Sequence, residues 1–472
     1  MNTIAKRTVP LAAICLLAGC AVQRYTPTPI VASATAAQFE SRSLADSGLR
    51  SFEERNLVHP VSPWPPKTWD LQTLSLAALY FNPALDVARA RLATAEGAIV
   101  TARARPNPTV DFVPGVPTPY LLTQDFLLLI ETAGKRGRRV QIAQNLDQAA
   151  QLDLADSAWT VIVGARLALL NYLVASQILE FLRSEQRVRE DQIGILEQIH
   201  SAGEIPRLDV DLARIELSKT QVATRIAEGQ VASAKAVLAA AIGIPVAGLE
   251  GAEFSWPEMD TPPTPESLSA DQVQRDAVLN RLDIRRSLAQ YAVAEDALHS
   301  EIAKQYPNFN IGPGYTYEER NNFFTVGFST SLPIFNRNQG PIVEAQGRRM
   351  EAAAAFMQTQ AQVIARSERA LAVYTAALKE LAEAESLQNL QETQLQIMQQ
   401  GIRAGADNRL SLDNVEIQSW VLARARLDAL ARAQRALGEL EDAVQRPLDP
   451  SGTFTITPES PALIGPPKDL KR

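Results

Sequence analysis

Two cysteines and three histidines are all that this 472-residue chain offers as thiols and soft metal ligands. A Cys/His zinc centre of ordinary spacing cannot be assembled from so few, and a disulfide framework is excluded with it. Basic residues are not in excess either: 46 Lys and Arg stand against 53 Asp and Glu, a formal charge of −7. Nucleic-acid binding needs a clustered basic surface to neutralise phosphate, so that class of function is disfavoured. Leu129 stands where a P-loop would need its first glycine, and His59, His200 and His299 are scattered with no Ser or Asp arrangement of a triad. With no nucleophile, metal or acid–base set, the chain reads as a non-enzyme without cofactor. Five methionines make no ladder for soft metals.

What is present is a hydrophobic fraction of 46% in which aromatics are only 6% of the chain, a composition of long helices with closely approaching backbones. The 29 prolines mark where those helices cannot run. None occurs over 120–205, 207–244, 266–306 or 342–446, whereas they cluster at 60–66, 106–119 and 257–265 and follow from Pro447. Helices of roughly 60 residues would reach on the order of 90 Å. A narrow apolar seam, Leu167, Leu170, Val174, Ile178, Phe181, Val188, Ile195 and Ile199, is interrupted at Glu185 and Gln192, and a second runs through Leu371, Tyr374, Leu378 and Leu381. Sparse stripes of this kind suit coiled-coil walls wetted on one side.

The amino terminus sets the compartment. Lys6 and Arg7 precede an apolar run over 11–18 that is too short to span a bilayer and has the form of a secretory signal. Leu17-Ala18-Gly19-Cys20 resembles a bacterial lipobox, in which the Cys20 thiol would be acylated before cleavage leaves it as the first residue. Cys15 would be removed, and Ala21 rather than Asp after the cysteine favours delivery to the outer membrane of a Gram-negative bacterium.

An internal repeat organises the rest. Asn82-Pro83-Ala84-Leu85 corresponds to Arg281-Leu282-Asp283-Ile284 at an offset of 281 − 82 = 199. Pro106-Asn107 matches Pro307-Asn308 at 201, and Ala202-Gly203, Arg207-Leu208, Asp211 and Ile215 match Ala404-Gly405, Arg409-Leu410, Asp413 and Ile417 at 202. Ordered matches at near-constant spacing define a unit of about 200 residues occurring twice. Within each unit the expected order is helix, hairpin, long helix, turn, helix. Residues 308–317 and 323–334 read as two strands around a turn at 318–322, with 109–116 and 120–130 as shorter counterparts. Four strands make only an arc, so their edges demand further subunits. The expected division is a signal peptide at 1–19, a linker from the lipidated cysteine at 20–70, a first repeat at 71–247, a Pro-rich linker at 248–270, a second repeat at 271–448 and a tail at 449–472.

Trp69-Asp70-Leu71 with Ala77-Ala78-Leu79 and Asn82-Pro83-Ala84-Leu85, the turn Glu131-Thr132-Ala133-Gly134-Lys135-Arg136, the turn Pro333-Ile334-Phe335-Asn336-Arg337-Asn338-Gln339-Gly340 and the two glycine tips resemble the TolC-like outer-membrane efflux proteins, in particular the CzcC-type branch. The similarity covers about residues 65–448. It implies a mainly α fold with a small β part: a homotrimer in which each protomer gives four strands to a 12-stranded barrel and its helices to a periplasmic α-barrel. It also implies two partners, a periplasmic adaptor and an inner-membrane proton-driven pump, and so a passive exit duct.

The resemblance places the adaptor at the tips, which here implicates Gly203, Arg207, Leu208, Gly405, Arg409 and Leu410; capped helix turns with no partner are the plainer reading. Family members narrow their entrance with aspartates after the second tip, where this chain has Ser411 and Asn414 with Asp407, Asp413 and Glu416 nearby. Three copies of one such carboxylate around an axis would attract cations, whereas a solvated coiled-coil face would carry the same residues with no gate. The basic run Lys135-Arg136-Gly137-Arg138-Arg139 would face lipid phosphates or form a solvated turn. A periplasmic coiled-coil lipoprotein that tethers without a pore is the alternative function.

Overall fold

The computed structural model describes residues 24–57, 59–115, 121–264 and 270–448. Cys20 and the segments 1–19 and 449–472 lie outside the described residues. The chain divides into two units, 1–42 and 43–472. The first contains helix α1, Ala32–Glu40, in which no residue is buried.

The second unit is mainly helical and repeats one order of elements. Helix α2, Ser47–Leu57, and strand β1, Thr68–Trp69, lead into helix α3, Leu71–Phe81, and helix α4, Pro83–Arg103. Strands β2, Thr109–Pro114, and β3, Leu121–Ile130, follow, and then the two long helices α5, Lys135–Ser201, and α6, Arg207–Ile242. Strand β4, Glu253–Phe254, opens the crossing to helix α7, Ala270–Asn280, and helix α8, Leu282–Ala303. Strands β5, Phe309–Glu318, and β6, Asn321–Thr330, and helices α9, Gln339–Arg403, and α10, Arg409–Val444, complete the chain. At 67 and 65 residues, α5 and α9 are each about 100 Å long, the reach that the proline-free runs predict.

Equivalent positions do the same work with different chemistry. Asn82 caps α4 by accepting from the Ala84 amide at 3.0 Å and donates its own amide to the Ala241 carbonyl near the end of α6. Arg281, its counterpart before α8, has no capping oxygen and reaches instead to the carbonyls of Asp442 and Ala443 at 2.9 and 2.8 Å near the end of α10. Ala241 and Ala443 are 443 − 241 = 202 residues apart. In both halves, then, the start of the short helix is tied to the end of the last one. Both last helices close on a left-handed residue, Gly243 at φ 93° and Gln445 at φ 48°. A Cβ on Gly243 would lie 2.8 Å from the Phe81 carbonyl oxygen, so close backbone approach fixes that glycine.

The main core lies at mid-height of the long helices, where Leu169, Leu170 and Val174 of α5 meet Leu238 and Ile242 of α6, Tyr374 and Leu381 of α9 and Leu430, Leu437 and Leu440 of α10. The described part of the Pro-rich stretch expected to be a linker at 248–270, residues 248–264, joins this core. Leu249, Trp256 and Met259 are buried in it, and Glu253–Phe254 pairs in parallel with Thr68–Trp69. Gln434 donates to the Met259 carbonyl at 2.6 Å. Prolines ended the helices, but three large apolar residues among them, Leu249, Trp256 and Met259, are buried and turn this stretch into a clasp.

The α5 seam differs from its sequence expectation. Leu167 is exposed, whereas Glu185 is buried as its seam position predicts, with its carboxylate between Arg189 at 2.9 Å and Arg424 at 2.6 Å. Helix α5 packs against α6 on one side and α10 on another, so no single stripe is its buried face. The apolar window that makes α5 long and oily enough to cross a bilayer is 56% buried against these neighbours.

The two hairpins form one antiparallel sheet in the order β2-β3-β5-β6, with β2 and β6 as unpaired edges. Glu318 pairs directly with Asn321, so the hairpin turn is the two residues Glu319 and Arg320, both at positive φ, rather than the five expected. Register sorts the side chains. Val110, Phe126, Pro313 and Val326 lie in one row, and Phe112, Gln124, Tyr315 and Phe324 in another on the same face. On that face Phe324, Val326 and Phe328 are largely exposed. The opposite face carries Asp111, Thr123, Asp125, Asn310, Thr316, Thr325 and Ser329, with Val113, Leu121, Leu127, Leu129 and Phe323 as its apolar members. One greasy and one mainly polar face, period two, is the pattern of a strand set between lipid and water.

Candidate functional site

The tips are built by helix-stop and helix-start signals in immediate succession. Helix α5 ends at Ser201 with Ala202 as its C-cap; Gly203, at φ 81°, turns the chain, donating its amide to the His200 carbonyl at 2.8 Å while Glu204 reaches the Ile199 carbonyl at 3.2 Å. That pair of bonds satisfies carbonyls that the helix end would leave open. Pro206 then precedes Arg207, the first residue of α6. The second tip repeats the device with Gly405 at φ 72° and Ala406 bonded to the Gly401 carbonyl at 2.9 Å, and Asn408 caps α10 by accepting from the Ser411 amide at 2.8 Å. The physical reason for glycine at 203 and 405 is thus the left-handed turn.

The Arg-Leu pairs do not have the same surroundings. Arg207 and Leu208 are exposed, and the nearest carboxylate to Arg207, on Asp211, is 3.6 Å away. Leu410 is half-buried, while Arg409 is turned back along its own helix, with Nε 3.0 Å from Asp413 Oδ1 and a second nitrogen 3.8 Å from Asp191 of α5. Residues expected to serve docking and gating are therefore in contact with each other.

Asp413 itself is fully buried within the protomer. Neither oxygen makes an aligned hydrogen bond; the Arg409 contact at 3.0 Å is one of charge and not of donor geometry. Burial pushes the Asp413 carboxyl up, Arg409 opposes it, and Glu416 and Asp191 add to the rise. Glu416 is half-buried in the wall of a cavity of about 560 Å³ between α5, α9 and α10, which Arg187, Asp191, Arg409 and Trp420 also line. Asp407 is exposed at the tip and lies over Gly401, where a Cβ would collide with its carboxylate. Of the three expected gate acids, only Asp407 faces solvent fully.

Two acidic features escaped sequence reasoning. Asp191 lies on a different helix from Arg409, and no spacing rule connects them. Asp111 and Asp125 are direct cross-strand partners on the polar face, with the Asp125 carboxylate over Gly314. Their signal, one acid in the alternation of each of the two strands, was legible once register was fixed.

The basic run opens α5 at the base of the sheet. Arg139 forks onto Glu131, whose carboxyl is held below its ordinary range by that bond. Arg138 lies 3.5 Å from Asp296 of α8, and Lys135 donates to the Tyr306 carbonyl and to Asn308 Oδ1, each at 2.5 Å. No group of three or more His, Cys, Asp or Glu that could hold a metal ion occurs among the described residues.

No protein-family model matches the chain. A curated relative, the cobalt-zinc-cadmium resistance protein CzcC of Cupriavidus metallidurans, is 26% identical over 278 residues, 58% of this chain; the match spans 64% of the length of that relative. Among solved structures, the outer membrane protein VceC of Vibrio cholerae superposes with a TM-score of 0.63 at 19% identity, covering 80% of this chain and 97% of that one. The MtrE outer membrane channel of Neisseria gonorrhoeae, in its open state, gives 0.64 at 16% identity, covering 81% and 91%. The resemblance carried by the repeated helix-hairpin units is thereby borne out, and the chain is a sequence relative of CzcC with the fold of the TolC-like outer-membrane channels.

Proposed function

We propose that this protein is the outer-membrane channel of a tripartite efflux system, a passive exit duct that performs no chemistry of its own. The observation that carries the reading is the sheet: four antiparallel strands with one apolar and one polar face, open at β2 and β6, joined directly to helices of 67 and 65 residues. Unsatisfied strand edges have no place in a bilayer, and three copies closing edge to edge would give a 12-stranded barrel above a helical tunnel. Substrates would arrive from an inner-membrane proton-driven pump through a periplasmic adaptor. The relationship to CzcC favours a metal-ion or related resistance system as the source of the cargo, the ion being substrate and not a resident cofactor. Cys20 would carry the lipid anchor, so Cys20→Ser should abolish incorporation of labelled palmitate while leaving the chain folded.

Single-channel recording in planar bilayers tests the duct. Stable conductance from heat-modifiable trimers is expected, whereas a soluble, non-conducting delipidated protein would sink the idea in favour of a periplasmic tether. At the tips, Arg207 and Leu208 are the exposed docking pair, Arg207 having the partly exposed Asp211 3.6 Å away. Arg207→Glu should lose crosslinking to the adaptor with conductance unchanged, and undiminished crosslinking would refute docking at that tip. Arg409→Glu should alter both readouts, because Arg409 also covers Asp413.

A further inference from the structure

Where the sheet meets the helices there is a cavity of about 770 Å³. Leu129, Asn310, Ser329 and Thr330 form its strand-side wall; by register the first three belong to the face that carries Asp111 and Asp125, while Thr330 ends β6 on the other. The cavity therefore opens to the water side of the sheet and not to its apolar side. Lys135, Arg139, Ser300 and Lys304 form the helix-side wall.

Charge around this cavity does not balance. Arg139 is paired with Glu131, and Lys304 with Glu301 at 2.6 Å. The Lys135 ammonium contacts two neutral oxygens instead, those of Tyr306 and Asn308. No carboxylate lies within ion-pair distance of it among the described residues. Partial burial holds the Lys135 ammonium below its ordinary range, and the Glu131 carboxylate, which lines the same cavity and is bonded to Arg139, opposes that shift from beyond ion-pair distance. The same spot is the start of α5. Its first turn holds no acidic residue and its N-cap is Gly134, which has no side chain to accept from the open amides. Lys135, Arg136, Arg138 and Arg139 instead crowd the positive end of the helix; Glu131 and Asp296 offset Arg139 and Arg138, and Lys135 has no carboxylate partner of its own among the described residues.

We propose that this cavity binds a small oxyanion of the phosphate, sulfate or carboxylate class, with the Lys135 ammonium as its charged ligand and the Asn310, Ser329 and Ser331 side chains as neutral donors. In the duct, on whose reading its role rests, the site is a station for anions at the throat between helical tunnel and barrel. Because the cavity lies on the water-side face, its occupant is a free anion rather than a lipid headgroup.

Calorimetric titration of the detergent-solubilised full-length protein with sodium sulfate, and separately with sodium phosphate, reads the site without needing a working channel. Saturable binding of one anion per protomer is expected. Lys135→Gln, which keeps amide donors for the two oxygens but removes the charge, should weaken it about tenfold or more. Lys304→Gln, a solvent-reaching change, should weaken it by about threefold, and Arg348→Gln, remote from the cavity, should leave it unchanged. Should Lys135→Gln fail to fold, Lys304→Gln decides the matter alone. Flat titrations of the wild type up to about 10 mM, or equal binding by wild type and both cavity variants, overturn the proposal. So does binding seen only with short-chain phosphatidylglycerol, which would make the ligand a lipid. Anion binding without bilayer conductance would leave the site standing and count against the duct, whereas conductance insensitive to sulfate in a protein that does not bind it would do the reverse.

Discussion

Glu53 is fully buried on α2, and neither of its carboxylate oxygens has a hydrogen-bond partner. Burial, with the nearby Asp70 charge adding to it, raises its pKa to about 8, so the folded protein holds it neutral at pH 7. A carboxyl whose folded pKa lies above its unfolded one favours folding fully below the unfolded value and loses that support as pH climbs from about 4.5 to about 8. Glu53→Gln should therefore raise stability by about 2–4 kcal/mol at pH 9 and change little at pH 4; thermal midpoints of the solubilised protein at the two pH values check it. Asp413 behaves with the same sign, its carboxyl pushed up mainly by burial, so the second tip should loosen as pH rises through that group's titration. Removing the opposing cation exposes the effect. Arg409→Gln should speed amide exchange over 403–415 about tenfold, and adding Asp413→Asn should bring it back. Exchange unchanged by Arg409→Gln would show that the contact holds nothing.

The elements differ in how plainly the chain announces them. Proline-free runs bounded by glycine tips give α5, α6, α9 and α10 their existence and nearly their ends, because proline is excluded from a helix beyond its first turn, where Pro341 of α9 sits, and glycine turns freely at 203 and 405. Their partners were not legible. A helix packed on two sides has no single stripe, which is why Leu167 is outside. The clasp at Leu249, Trp256 and Met259 was hidden for a related reason: proline spacing marks an irregular backbone and says nothing about what its side chains touch. In the sheet, period-two alternation was visible, but which face meets lipid needed the register. That register makes a sharp contrast between neighbours on β6. Phe324→Lys places a charge on the apolar face at a cost of about 2–4 kcal/mol near the bilayer midplane and should abolish insertion, whereas Thr325→Lys points to the polar face and should insert normally. Heat-modifiability on electrophoresis separates the two outcomes, and equal insertion by both would overturn the assignment of faces.

At the scale of the molecule, two levels of opposite charge stand on the polar side of one sheet. Asp111 and Asp125 face each other across strands, and Lys135 with its basic neighbours lies at the base, six strand residues or about 20 Å from Asp125 to Glu131. Like charges directly opposite in a sheet are unfavourable unless water or cations relieve them, so this pair calls for a wetted face, which the proposed channel would supply. Asp111→Asn with Asp125→Asn should lower the cation preference of the open channel several-fold in reversal-potential measurements under a salt gradient, with conductance retained. An unchanged reversal potential would put the acids elsewhere than the conduction path. By itself the sequence determined the helices, the hairpins, the tips and the twofold repetition, since these follow from local rules: proline and glycine geometry, periodicity, and ordered matches at offsets of 199 to 202. Only the tertiary structure decided which charges are alone and which are paired. Arg409 found Asp413 on its own helix and Asp191 on another, Asp413 went inside, and Lys135 was left with two neutral oxygens. Contacts between residues far apart in the chain depend on how whole helices cross, and no local pattern encodes that crossing.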